Sequence, residues 1–253
     1  GGYWDRVKTG KEKIFSLRDP ANEPHATIEY TPGRKSIDQI KGKQNKKLNA
    51  EYMPYLVEFL NKPPVPIQKL SDHDMNSNGL LKTKTGVVSV QNLPEGTALD
   101  MDLNLKNWED IILPNNLTIT GELNLAKSGV TELPKGLKVG SLNMFGCSIT
   151  ELPSDIQISK TLNAEFSSLK SIPAMTLKGD LVLSDTAIKE LPAGLKVKGE
   201  LDIMSTGITK LPKDLKVGKS IFVDDVDEIE APTPNLKELL HGGHYGKQAY
   251  TSA

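Results

Sequence analysis

Few polar side chains in this 253-residue sequence stand at spacings that chemistry demands, and each has a structural competitor. Asp74, Asn76, Asn78 and Gly79 fall at the spacing of the first half of a calcium-binding loop. Alternate oxygen ligands in such a loop converge on one hard cation because the intervening side chains point away. The twelfth position, however, holds Thr85 in place of a bidentate Glu, and no helical pattern leads into Asp72. A turn rich in Asn, Asp and Gly, closed by side-chain to backbone hydrogen bonds, fits the same residues. His241 and His244 stand in a glycine-rich tail, a setting in which two imidazoles more often bind nothing. No metal and no cofactor are expected. The single cysteine, Cys147, lies in a repeated apolar phrase and reads as a small buried residue; alone, it rules out an internal disulfide. The sequence lacks a zinc-protease helix, a phosphate-binding loop, a nucleophile elbow and a paired-carboxylate motif, so no catalytic residue is assigned and the reading leans away from an enzyme.

A second polar group, Arg18, His25, Glu29, Gln39, Lys43 and Asn45, lies near the start of the chain. The β-rich runs 13–18, 24–30 and 35–40, separated by Asp-Pro-Ala-Asn and Thr-Pro-Gly turn clusters, predict an antiparallel meander. A basic loop at 41–47 follows. Then EYMPYLVEFLN places Tyr52, Tyr55, Leu56, Phe59 and Leu60 on one helical face, with Pro54 in the first turn, where its missing N–H costs little. Residues 1–62 therefore read as a small α+β module. Its polar group is either a site on the sheet edge and basic loop, or an Arg18–Glu29 cross-strand pair with His25 following a turn. The loop KGKQNKK either meets nucleic-acid phosphates or is simply solvated. Residues 1–62 hold 12 Lys/Arg against 8 Asp/Glu, and the rest of the chain 19 against 24.

The segment SLRDPANEPHATIEY, followed by IDQIKGKQNKK and a Tyr-x-Pro-Tyr helix, resembles the C-terminal part of PcfJ-like proteins of conjugative plasmids and phages. The resemblance covers about 1–61. In that family a His-Cys pair stands just upstream of the Gly-Tyr. Neither residue is present here, so chemistry that needs them is absent, and the chain reads as the downstream part of a longer protein.

Lys62-Pro63-Pro64-Val65-Pro66 is a stiff stretch that marks a boundary, with 63–82 as a linker. Beyond it one phrase repeats, L-x-L-x-x-(T/S/C)-x-I-x-x-L-P-x-x-L-x-V-x-G-x. Its Leu-Pro or Ile-Pro pairs begin at Leu93, Leu113, Leu133, Leu152, Ile172, Leu191 and Leu211, a period of 19 or 20 residues. No single phrase buries enough apolar surface to fold alone, so the phrases must stack into a solenoid. The L-x-L segments predict about seven parallel strands starting near Leu103, Leu123, Leu142, Leu162, Leu181, Leu201 and Ile221. The phrase resembles the short bacterial and phage leucine-rich repeats with an L-P signature. That implies an α/β solenoid over 83–230, with 231–253 as a capping helix and tail. The related effector ligases carry a catalytic-cysteine domain, which has no counterpart here.

Strand phase places an outward face on the sheet. Its middle row includes Asn124, Asn143, Asn163, Val182, Asp202 and Phe222, flanked by Glu200 on one side and by Phe145, Glu165, Met204 and Asp224 on the other. The asparagines predict an amide ladder along the stack. The carboxylate excess repels nucleic acid, and the apolar residues offer anchors, so a basic or polar protein segment is the expected partner. The reading is a non-catalytic recognition protein, possible as a phage structural or assembly component alongside other chains; the alternative is a nucleic-acid-handling or enzymatic module in 1–62 with the repeats as targeting arm. Nucleic acid is considered only at 41–47. No apolar run approaches the roughly 18 residues of a membrane span and no signal peptide opens the chain, so no membrane partner and a cytoplasmic or virion-associated location are expected.

Overall fold

A computed structural model describes residues 7–46, 48–109 and 111–243. The chain divides into two compact units, Gly1–Leu93 and Pro94–Ala253. In the first, β1 (Lys13–Arg18), β2 (Pro24–Thr31) and β3 (Ser36–Gly42) form an antiparallel meander. The alternation of β2 sends Ala26, Ile28 and Tyr30 inward. Helix α1 (Met53–Asn61) carries Pro54 in its first turn and buries Met53, Leu56 and Leu60. Tyr55, expected on that face, is exposed, because the buried stripe is set by Met53 rather than by the tyrosines.

The stretch 63–82 is more than a linker. It contributes β4 (Lys69–Leu70), parallel to β3, and helix α2 (Asp72–Ser77), and it enters the hairpin β5 (Leu80–Thr83) and β6 (Gly86–Ser89). Met75 and Leu80 join the core of Ile28, Tyr30, Ile37, Ile40 and Leu56. The Tyr30 hydroxyl donates to the Pro66 carbonyl at 2.9 Å. Asn61 grips the hairpin, donating to the Val87 carbonyl at 2.8 Å and accepting from its N–H at 2.7 Å. These polar anchors leave no periodic signature, which is why composition alone reads the segment as connector.

The second unit is a β-solenoid of about seven turns with a parallel sheet and few helices. In chain order its strands are β7 (Ala98–Leu99), β8 (Leu103–Asn104), β9 (Thr118–Asn124), β10 (Lys138–Asn143), β11 (Gln157–Ile158), β12 (Leu162–Asn163), β13 (Thr176–Leu177), β14 (Leu181–Val182), β15 (Lys196–Val197), β16 (Leu201–Asp202), β17 (Lys216–Val217) and β18 (Ile221–Val223). One leucine column runs through it in register: Leu103, Leu123, Leu142, Leu162, Leu181, Leu201 and Ile221. These are the seven residues expected to begin strands; five do, whereas β9 and β10 start earlier, at Thr118 and Lys138. All are at most 1% exposed.

The helical side of an α/β solenoid is not found in the described coils. Each L-x-V segment instead makes a second short strand, so Leu99, Ile119, Val139 and Ile158 form one inward column and Leu177, Val197 and Val217 another. A coil of 19 or 20 residues spends its length on two strands and the bends between them, leaving no room for a helical turn. The second row shifts register between β11 and β13, which are not paired as strands, although the Lys178 N–H still donates to the Ser159 carbonyl at 3.1 Å and the Gly179 N–H to the Lys160 carbonyl at 2.9 Å. Four residues lie between Pro153 and the inward Ile158, but only three between Pro173 and Leu177, so that coil is one residue short at this point. Gly140 sits where adjacent coils touch: a Cβ there would lie 2.4 Å from the Thr120 carbonyl oxygen.

At the far end, helix α3 (Pro234–Glu238) is capped by Thr233, whose hydroxyl accepts from the Leu236 N–H. The chain does not then become structureless. β19 (Leu240–Gly242) pairs in parallel with β18 and adds Leu240 to the leucine column. Residues 244–253, including His244, lie outside the described residues. Among the described residues no helix is long and apolar enough to cross a membrane.

Candidate functional site

The outward face of the leucine sheet is built differently from a simple row of exposed side chains. Asn143, Asn163, Val182 and Asp202 are buried, the last three no more than 3% exposed. Each polar member folds back on its own strand: Asn124 Oδ1 accepts from the Ala126 N–H at 3.0 Å, Asn143 Oδ1 from Phe145 at 3.1 Å, and Asn163 Oδ1 from Glu165 at 3.0 Å. Asp202 Oδ1 accepts from Met204 in the same way, at 3.0 Å. These are local Asx-type closures rather than an amide ladder between coils. Curling inward, and stacked between equivalent residues about 4.8 Å above and below, the row is shielded from solvent. The middle-row positions read as partner contacts are therefore structural, except near the ends, where Asn124 and Phe222 are half-buried.

What remains accessible is the strip beside it. Phe145, Glu165 and Met204 are half-buried and Asp224 is exposed. The next position in six successive coils is left-handed: Asn107, Lys127, Gly146, Phe166, Asp185 and Ser205 have φ from 50° to 64°. Any Cβ is strained there, and only Gly, with Asn and Asp at times, adopts this backbone routinely, yet Phe166 occupies it with half its surface in solvent (53%). Its ring meets Phe145 edge-on at 5.5 Å between centroids, and the Lys127 ammonium lies 5.6 Å from the Phe145 ring centre. Phe166, Asp185 and Lys127 were not legible as site residues. Only the recurrence of a residue four places after each strand leucine hints at them.

The strip is electrostatically frustrated. Burial first, and then the Asp202 and Asp185 charges, push the Glu165 carboxyl above its ordinary range. Burial likewise raises Asp202, with Asp185 and Asp224 adding repulsion against the pull of the Met204 N–H and Ser184. Farther along, Glu122 is raised by burial and by Asp102. Glu200 takes part differently: its backbone N–H is held by Asp180 Oδ1 at 2.8 Å, a rung between coils. Cys147 is a ladder residue, its thiol donating to the Leu125 carbonyl at 2.8 Å and pushed up by burial, so it is not poised as a nucleophile.

In the first unit the structure gathers Arg18, His25 and Lys43 round the β1–β2 turn. His25 Nε2 lies 2.9 Å from Asp19 Oδ2, and its ring stacks on Tyr52 at 3.8 Å between centroids. That contact and the Glu23 N–H hold the Asp19 carboxyl below its usual range. Arg18 donates to the Asn22 carbonyl at 2.7 Å, and Lys43 Nζ is 4.0 Å from Glu23. Glu29 is elsewhere: it faces Ile14 on β1 and Gln39 on β3, so Arg18 and Glu29 do not pair. Their strand positions differ by four residues, about 13 Å. The basic loop is partly answered by carboxylates, with Lys41 Nζ 3.9 Å from Asp74. The side chain of Asn45 and all of Lys47 lie outside the described residues.

The calcium-like residues are also structural. Asp74 and Asn78 are buried, Asp74 Oδ1 accepts from the Ile40 N–H at 3.3 Å, and Asn78 accepts from Leu48 while donating to the Ile40 and Asp74 carbonyls. The Asp74 oxygen clasps α2 to β3 and the Asn78 oxygen holds the chain at Leu48, so both serve backbone N–H groups.

The fold and strip thus define a β-solenoid with an aromatic and acidic surface. Comparison with protein families, curated proteins and solved structures returns no match to this chain.

Proposed function

We propose that the chain is a non-catalytic recognition protein, its solenoid a leucine-rich repeat of the short L-P type, preceded by a small α+β module. Phe166, Phe145, Glu165, Asp185, Met204 and Asp224 take up a basic protein segment that carries an aromatic or long apolar side chain. One observation carries the reading: a large aromatic ring is held at a strained left-handed position, in solvent, beside Glu165, whose carboxyl is lifted by burial and then by repulsion from Asp202 and Asp185. A lysine or arginine placed there relieves that repulsion, and the ring supplies apolar area that a partner covers. Assembly with other chains of a phage or plasmid system belongs to the same reading. The alternative at loop 41–47 is not carried forward, since Lys41 and Lys43 each lie near a carboxylate.

The test uses synthetic Lys/Arg-rich peptides with and without one Trp, titrated by calorimetry. Tightest binding is expected for the Trp-containing basic peptide, falling with salt and lost with Glu165→Lys. Phe166→Gly separates function from fold. It gives up an edge-to-face contact of about 1 kcal/mol but removes left-handed strain of similar size. Stability should therefore hold while binding is lost. Equal binding of an acidic control peptide, or none at low salt, rejects the proposal.

A further inference from the structure

The second sheet has its own charge pattern, opposite to that of the first. On β13, β15 and β17 the outward positions carry Lys196 and Lys216 directly opposite one another in parallel register. Lys178 and Lys198 stand two residues beyond the first positions of β13 and β15. All four are exposed. Earlier coils place Thr118, Lys138, Gln157 and Thr176 at the position of Lys196, so the fold does not require lysine there, and only in the last two coils do lysines face each other directly. Adjacent like charges repel. The strip round the corner of the same coils is acidic, with Glu165, Asp185 and Asp224.

From this we infer that the lysine sheet docks the acidic strip of a second copy of the chain. Two properties select that occupant. The charges are complementary, and Glu165 and Asp185 on one face, like Lys196 and Lys216 on the other, come from successive coils about 4.8 Å apart, so paired charges on two copies can meet at a common spacing. Because the two rows lie on different faces, the contact joins unlike surfaces and leaves one of each free. Association therefore continues past a dimer instead of closing. The inference shares the acidic strip with the proposed peptide site, but it stands or falls on the lysine sheet.

The full chain is followed by sedimentation and light scattering across concentration at low and high salt. The average mass should rise with concentration at about 20 mM salt and return to monomer near 0.5 M, where the Debye length shrinks to a few ångströms. Lys196→Glu with Lys216→Glu should abolish the rise, as should Glu165→Lys with Asp185→Lys. Mixing the two reversed proteins should restore association, because each retains the face the other lacks. Circular dichroism checks that both remain folded. A monomer at every concentration, or a mixture that fails to associate, overturns the inference. So does a wild type that stays monomeric while binding heparin or a DNA oligonucleotide through these lysines, which would make the sheet a polyanion surface. Basic-peptide binding retained by the Lys196→Glu, Lys216→Glu protein in any of these outcomes leaves the proposed recognition strip standing.

Discussion

Asp202 gives the sharpest test of how the solenoid face is held. It occupies the same position as Asn124, Asn143 and Asn163 and makes the same contact, one side-chain oxygen accepting the N–H two residues on. The amide therefore already fits this geometry in neighbouring coils. The carboxylate differs by a charge that is 3% exposed and repelled by Asp185 and Asp224. Its folded pKa is raised, so between the unfolded and folded values the native state binds more protons than the unfolded one. Stability then falls as pH rises through that window, and the loss is complete above the folded value. Asp202→Asn removes the charge and keeps the hydrogen bond. The expected gain at pH 7 is about 0.5–2 kcal/mol, the usual yield of relieving one unfavourable charge, or roughly 2–4 °C in melting temperature per kcal/mol for a chain of this size. The assay is thermal and urea unfolding of both proteins from pH 4 to 8, following the β-sheet signal. The difference should be greatest at neutral pH and shrink in acid, while Glu165 and Glu122 keep some slope in both proteins. A variant less stable than wild type at pH 7, or an increment independent of pH, refutes the argument that burial outweighs the charge-assisted bond.

Two further substitutions probe the framework. Gly140→Ala, at a contact with backbone rather than a flexible side chain, should cost about 1–3 kcal/mol through forced separation of coils; an unchanged melting point would show the stack yields freely. Asn78→Ala orphans buried groups on Leu48 and Ile40 and should cost about 3 kcal/mol. Adding or chelating calcium should leave the melting of wild type unmoved, and a calcium-dependent shift abolished in this variant would restore the cation reading.

The leucine column was plain in the sequence because a buried parallel strand must repeat its apolar residue once per coil, and seven did. The second column was hidden: a two-residue strand carries too little alternation to separate Leu195-Lys196-Val197 from a loop. The asparagine row was visible but its role was not, since an outward-pointing amide and one folded onto its own backbone have the same spacing. Phe166 and Asp185 were missed because left-handed backbone is recognised from Gly or Asn, and here a phenylalanine and an aspartate hold it. In the first unit the strands were legible from their turns, whereas α2 was disguised by Asp74 and Asn78, whose polarity suggests a loop until their backbone partners are known.

The single residue missing between Pro173 and Leu177 has a dynamic consequence. Coils exchange stability only with neighbours, and here the second lateral connection loses its register and keeps only the shifted rungs from Lys178 to Ser159 and from Gly179 to Lys160, so cooperativity along the stack should be weakest at this junction. Opening that begins at either end should pause there. Amide exchange should divide the solenoid into an early block ending with β11 and a late block beginning with β13, each protected as a unit. The lysine sheet falls wholly within the later block, able to loosen or tighten without disturbing the coils before it.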